Sequence, residues 1–144
     1  MIKYLLPVVL IWLSLQSQAR ACSIVMPPPA EEFRQSHLVA LARPLAISYR
    51  PKNAGSPGFA GSFRQTILWQ VLLSWKGGIK SGKTFTTRRT FSDDPEGCSS
   101  YFPIRSKEAM LVFSQGQEPF SEFHVFDLSY AQPYFSFLEQ QQTK

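Results

Sequence analysis

Chemistry-bearing residues are scarce in this chain: two histidines and two cysteines in 144 residues. His37 and His124 stand far apart, and neither sits at a metal-ligand spacing or beside a nucleophile motif. Catalysis therefore finds no support, no cofactor is expected, and the chain is read as a non-enzyme. There is no internal repeat. Past the first fifteen residues no long apolar run occurs, and a spanning helix needs about 20 residues, so no integral membrane segment is expected. Basic residues exceed acidic ones by 15 to 10, too mild an excess to imply nucleic acid on its own.

What is present begins with a leader. Lys3 precedes an apolar stretch from Tyr4 to Leu15, and Ala19-Arg20-Ala21 supplies a small-x-small cleavage site. This is the three-part pattern of a secretory signal peptide. Residues 1–21 are read as that signal and residues 22–144 as one domain, secreted or periplasmic, whose first residue is Cys22. Cleavage after Ala19 is the alternative; it would leave Arg20-Ala21 ahead of the cysteine. Lipidation of Cys22 is a further alternative, not preferred: lipoprotein signals usually carry Leu three residues before the cysteine, then a small residue, and Ala19 and Arg20 stand there. Losing Lys3 and Arg20 lowers the net charge from +5 to about +3.

Cys98 is the only other cysteine. Two cysteines in an exported chain most simply form one disulfide, with two buried free thiols as the alternative. A Cys22–Cys98 link would close a loop of about 77 residues, for roughly 4.5 kcal/mol by the chain-entropy argument. That rivals the whole stability of a small domain.

The mature chain reads as strand-rich. Pro27-Pro28-Pro29 fixes an extended N-terminal arm through Pro29, and Ala30–Ser36 is expected to make one or two helical turns. His37–Arg50 reads as a strand with larger odd positions (Val39, Leu41, Leu45, Ile47, Tyr49) and smaller even ones; Pro44 marks a bulge, a bend or an edge. Residues 51–61 form a Pro/Gly loop. Phe63–Lys76 alternates cleanly, with Phe63, Ile67, Trp69, Val71, Leu73 and Trp75 on the dry parity. Further strands are expected at Lys83–Phe91, Ala109–Phe113 and Phe123–Leu128. A helix follows over Ser129–Gln142, with Ser129 as its cap and Tyr134, Phe137 and Leu138 on one face. Five strands and a terminal helix favour an all-β fold, a small closed or nearly closed barrel over an open sheet, because closure removes exposed edges.

Three motifs resolve to plain readings. Gly77–Thr84 fits the phosphate-loop pattern G-x-x-x-x-G-K-[ST]. That motif needs a helix directly after it, and Phe85–Thr90 is a strand sequence, so the segment is a Gly-rich connection. Arg88-Arg89 with Lys80 and Lys83, near Phe85 and Phe91, could serve a single-stranded nucleic acid; export favours a solvated face, and no nucleic acid is expected as a partner. Asp93, Asp94 and Glu96 match no calcium loop and read as a solvated turn.

In order and spacing, the chain resembles the netrin-like family, and within it the tissue inhibitors of metalloproteinases. The likeness is carried by the Cys22-Ser23 start, the strand Leu38–Arg43, the alternating strand ending Trp75-Lys76-Gly77, the Thr-rich strand before Gly97-Cys98, and Ala109–Phe113 followed by a terminal helix. It implies a five-stranded barrel of the oligonucleotide/oligosaccharide-binding type, packed by the C-terminal helix. It also implies a Cys22–Cys98 disulfide, with the amine and carbonyl of Cys22 chelating the zinc of a target metallopeptidase and Ser23 entering the specificity pocket. Those inhibitors carry a second cysteine two residues on, where this chain has Ile24, and they have further disulfides and a C-terminal subdomain not seen in this sequence. The expected partner is a zinc metallopeptidase or, with Cys22 purely structural, another exported protein or an envelope polymer.

Overall fold

The computed structural model describes residues 26–51, 62–92 and 103–142. In chain order these form α1 (Pro29–Gln35), β1 (Leu38–Pro51), β2 (Ser62–Lys76), β3 (Thr84–Ser92), β4 (Met110–Gln115), β5 (Glu122–Asp127) and α2 (Gln132–Gln142). The strands make one sheet in the order β3-β2-β1-β4-β5, with antiparallel pairing throughout. The expected all-β architecture with a terminal helix is present, and every strand starts and stops within two residues of its expected bounds.

The sheet's two outer edges meet. Phe120, just ahead of β5, forms a parallel bridge with Thr87 of β3. Its N–H donates to the Thr86 carbonyl (3.0 Å), and its carbonyl accepts from the Arg88 N–H (2.8 Å). The Thr86 N–H is taken by the Glu118 carboxylate at 2.7 Å. Edge groups that would otherwise face solvent are thus paired.

Two apolar clusters lie on opposite sides of this sheet. The inner one joins Leu38, Ala40 and Ala42 of β1 to Ile67, Trp69 and Val71 of β2, Phe85 of β3, and Met110 and Val112 of β4. Trp69 and Phe85 are its largest fully buried side chains, stacked with centroids 6.1 Å apart; the indole N–H donates to Thr87 Oγ1 at 2.8 Å. Small residues of β1 face these large ones, because close-packed interiors match a bulky side chain with a small one. That is why the small even positions of β1 turn inward. The outer cluster sets Val39, Leu111 and Phe113 against Ala131, Tyr134 and Leu138 at α2. Strand β4 is consequently buried on both faces.

The expectations for β2 and for the cap of α2 need correction. The dry parity of β2 does not run its full length. Register shifts occur between Leu41 and Ala42, opposite Leu73 and Val71, and between Val39 and Ala40, opposite Lys76 and Ser74. Each inserts an extra residue on β2, and one extra residue flips the faces of all that follow. Leu73 is therefore exposed, and Trp75 packs among the outer cluster against Phe135. A third shift, between Pro44 and Ala46, places a bulge beside the proline, one of the three outcomes Pro44 allowed. Ser129 does not cap α2. Residues 128–130 form a turn in which the Asp127 carbonyl accepts the N–H groups of Tyr130 and Ala131, and Ala131 accepts the first helical bonds, from Tyr134 and Phe135.

The Gly77–Thr84 segment is a hairpin connection between β2 and β3 with no helix after it. Gly77 has φ +97°, and a Cβ there would lie 2.8 Å from the His37 carbonyl oxygen. Only glycine suits both the left-handed backbone and the close approach.

Candidate functional site

The arm descends from Met26 through Pro28, whose ψ of 138° is extended. It stops one residue earlier than expected, because Pro29 is the first residue of α1. Proline suits that position, where its missing N–H would have no helical partner. The Pro28 carbonyl accepts from the N–H groups of Glu31 (3.0 Å) and Glu32 (3.1 Å). Seven residues are too few for a self-sustaining helix, so α1 depends on its surroundings. Phe33 meets Phe137 of α2 edge-on at 5.7 Å. Lys76 Nζ lies 5.0 Å from the Phe33 ring centre and donates to the carbonyls of Phe33 (2.8 Å) and Arg34 (3.3 Å). A cation on the last carbonyls of a helix satisfies its orphan acceptors.

A second tie crosses from α1 to β5. Glu32 is only 2% exposed, and its carboxylate stands 2.6 Å from Nδ1 of His124. A buried carboxylate requires such a partner. The pair borders a hollow of about 290 Å³, lined also by Arg89, Gln115, Ser121 and Phe123. The Arg89 guanidinium lies 4.0 Å from the Phe123 ring centre and donates to the Phe123 carbonyl. Arg89 therefore bridges β3 to β5.

The third tie holds the arm itself. The Tyr134 hydroxyl, on α2, donates to the Pro27 carbonyl at 2.7 Å. Burial, aided by the negative Glu32, pushes the Tyr134 phenol up to about 12. The hydroxyl thus stays protonated and able to donate across ordinary pH.

Cys22, Ser23 and Cys98, the residues singled out for zinc chelation, pocket entry and the disulfide, lie outside the described residues, as do Asp93, Asp94 and Glu96. What is described is the seat of the arm segment Met26–Pro28, which follows Cys22 and Ser23 in sequence. The basic cluster is not one solvated face. Lys80, Lys83 and Arg88 are exposed, but Arg89 is half-buried on Phe123, while Phe85 and Phe91 are buried. His124, expected as an ordinary strand-face residue, is instead the partner of Glu32. Among the described residues no group of three or more His, Cys, Asp or Glu could hold a metal ion, and no helix is long and apolar enough to cross a membrane. No family model matches the chain, and no curated protein matches it either.

Proposed function

We propose that this is an exported, non-enzymatic inhibitor of a zinc metallopeptidase, built as a netrin-like barrel of the oligonucleotide/oligosaccharide-binding type. The strand order, with its Phe120 closure, supports the barrel reading. The observation that carries the functional reading is the Tyr134–Pro27 hydrogen bond. It pins the arm to α2 five residues after Cys22. A fixed arm loses little freedom on binding, which lowers the cost of association. In this reading the signal is removed after Ala21, and a Cys22–Cys98 disulfide holds the new N-terminus. The α-amine and carbonyl of Cys22 then enter the open coordination position of the target's zinc. α-Amines titrate near 8, so a usable neutral fraction exists at pH 7. Ser23 occupies the adjoining specificity pocket.

The test is a panel of zinc peptidases assayed with the processed protein and with a form carrying one extra N-terminal alanine. Inhibition by the first alone is expected. Equal inhibition by both, or none by either, overturns the mechanism.

A second reading has its own support. Leu45, Leu68, Leu72 and Leu73 on β1 and β2 are all exposed, as befits a contact surface for another exported protein, with Cys22 purely structural. Binding would then survive the added alanine and fail when Leu68 and Leu72 are replaced by serine.

A further inference from the structure

A cleft of about 500 Å³ opens where β1 and β2 run past the end of β4, lined by Ile47, Tyr49, Phe63, Pro103, Arg105 and Lys107. It shares no residue with the seat of the arm. Its construction is specific. Gln65 is 2% exposed and sits on the inner parity of β2. Its amide nitrogen donates to the Ile104 carbonyl (2.7 Å) and to the Tyr49 hydroxyl oxygen (2.9 Å), while its amide oxygen accepts the Ile104 N–H (3.2 Å). The Tyr49 hydroxyl donates to the same Ile104 carbonyl at 2.8 Å. One side chain thereby does the work of a neighbouring strand and fastens residues 103–107 across the hairpin. The wall continues inward as an aromatic series, with Tyr49 and Phe63 at 5.9 Å and Phe63 and Phe91 at 5.4 Å.

The polar chemistry of this cleft is one-sided. Tyr49 and Gln65 spend their hydrogen-bonding groups on Ile104 and on each other, so among the described lining residues no neutral side-chain donor or acceptor is left for a sugar or a peptide. Among the described residues, Arg105 and Lys107 are exposed at the rim, no acid lines the cleft, and neither cation is in an ion pair. Apolar walls with a few convergent polar groups mark a small-molecule site, and the volume lies in the usual range. We propose that this cleft binds a free acyl carboxylate, its hydrocarbon chain lying along Ile47, Tyr49, Phe63 and Pro103 and its carboxylate meeting Arg105 and Lys107. Arginine suits that head group because its planar fork matches a carboxylate.

The test uses the protein in its natural processed form, titrated calorimetrically below micelle-forming concentrations with four probes: dodecanoate, dodecanol, dodecyltrimethylammonium and propionate. Dodecanoate should bind at least about tenfold more tightly than dodecanol, the weight of one charge-assisted hydrogen bond. The cationic probe and propionate should bind more weakly still. The exposed pair R105Q/K107Q should remove the preference for dodecanoate and leave dodecanol binding unchanged. Amide resonances that shift on titration should be those of residues 47–49, 63 and 104–107. Equal binding of the cationic probe, an unaltered preference in R105Q/K107Q, shifts confined to other residues, or binding to anionic lipid vesicles without binding of monomeric dodecanoate would each overturn the proposal.

Discussion

The two halves of β1 differ more from each other than β1 does from its neighbours. From Leu38 to Ala42 the strand lies between β2 and β4, and nearly every side chain is buried, alanines included. From Arg43 onward β2 is its one flanking strand among the described residues, and Leu45 and Tyr49 are 44% and 46% exposed. Residue size does not track burial here; the number of flanking layers does. Pro44 stands at the junction, just past the last β4 pairing at Ala42. The doubly flanked half supports the arm, and the singly flanked half forms the wall of an open cleft.

The widest gap between the two regions should appear on truncating their aromatics. Trp69→Ala, in the enclosed region, should cost about 3–5 kcal/mol in denaturant unfolding, whereas Tyr49→Ala should cost under about 1.5 kcal/mol. Comparable losses would erase the distinction. Next in size is His124→Ala, which strands the buried Glu32 carboxylate; about 2–3 kcal/mol is expected, discounted for the partial exposure of the imidazole. The double variant E32Q/H124A should recover part of that loss, and a purely additive result would show that the pair is not coupled.

A smaller effect concerns alkaline pH. The Tyr134 phenol ionises near 10 when unfolded and near 12 when folded, so the native state favours the neutral form. Its stabilising contribution is complete below pH 10 and is lost as pH rises toward 12. Denaturation midpoints taken across that window should fall more steeply for the parent than for Tyr134→Phe. Parallel curves would remove Tyr134 from the account. The smallest effect is Ser114→Ala. Ser114 Oγ is buried without a hydrogen-bond partner among the described residues, so the change should lie within about 0.5 kcal/mol of neutral or stabilise slightly.

Strand positions were legible because alternation and Gly/Pro punctuation are local. The paired glycines at 77 and 78 ended β2 as expected, and the strand character of Phe85–Thr90 ruled out the phosphate-loop reading. The faces of β2 were not legible beyond Val71, since a bulge depends on how the partner strand pairs, and no residue in β2 announces it. Nor was the Glu32–His124 pair. Glu32 lies in a short polar helix and His124 between Phe123 and Val125, 92 positions apart, and only the packing of α1 onto β5 brings them together. The arm's attachment is hidden likewise, because helical spacing places Tyr134 on an apolar face and nothing in the sequence marks where its hydroxyl goes. The cysteine pair and Ser23 were legible only as sequence.

The Phe120 seam has a mechanical corollary. Through strand pairing the segment 26–92 grips the segment 103–142 at two places, once where β1 meets β4 and again where β3 meets Phe120, so neither piece can peel away through a single opening. Severing the backbone between them should leave a nicked dimer of fragments that elutes as one particle and melts in one step.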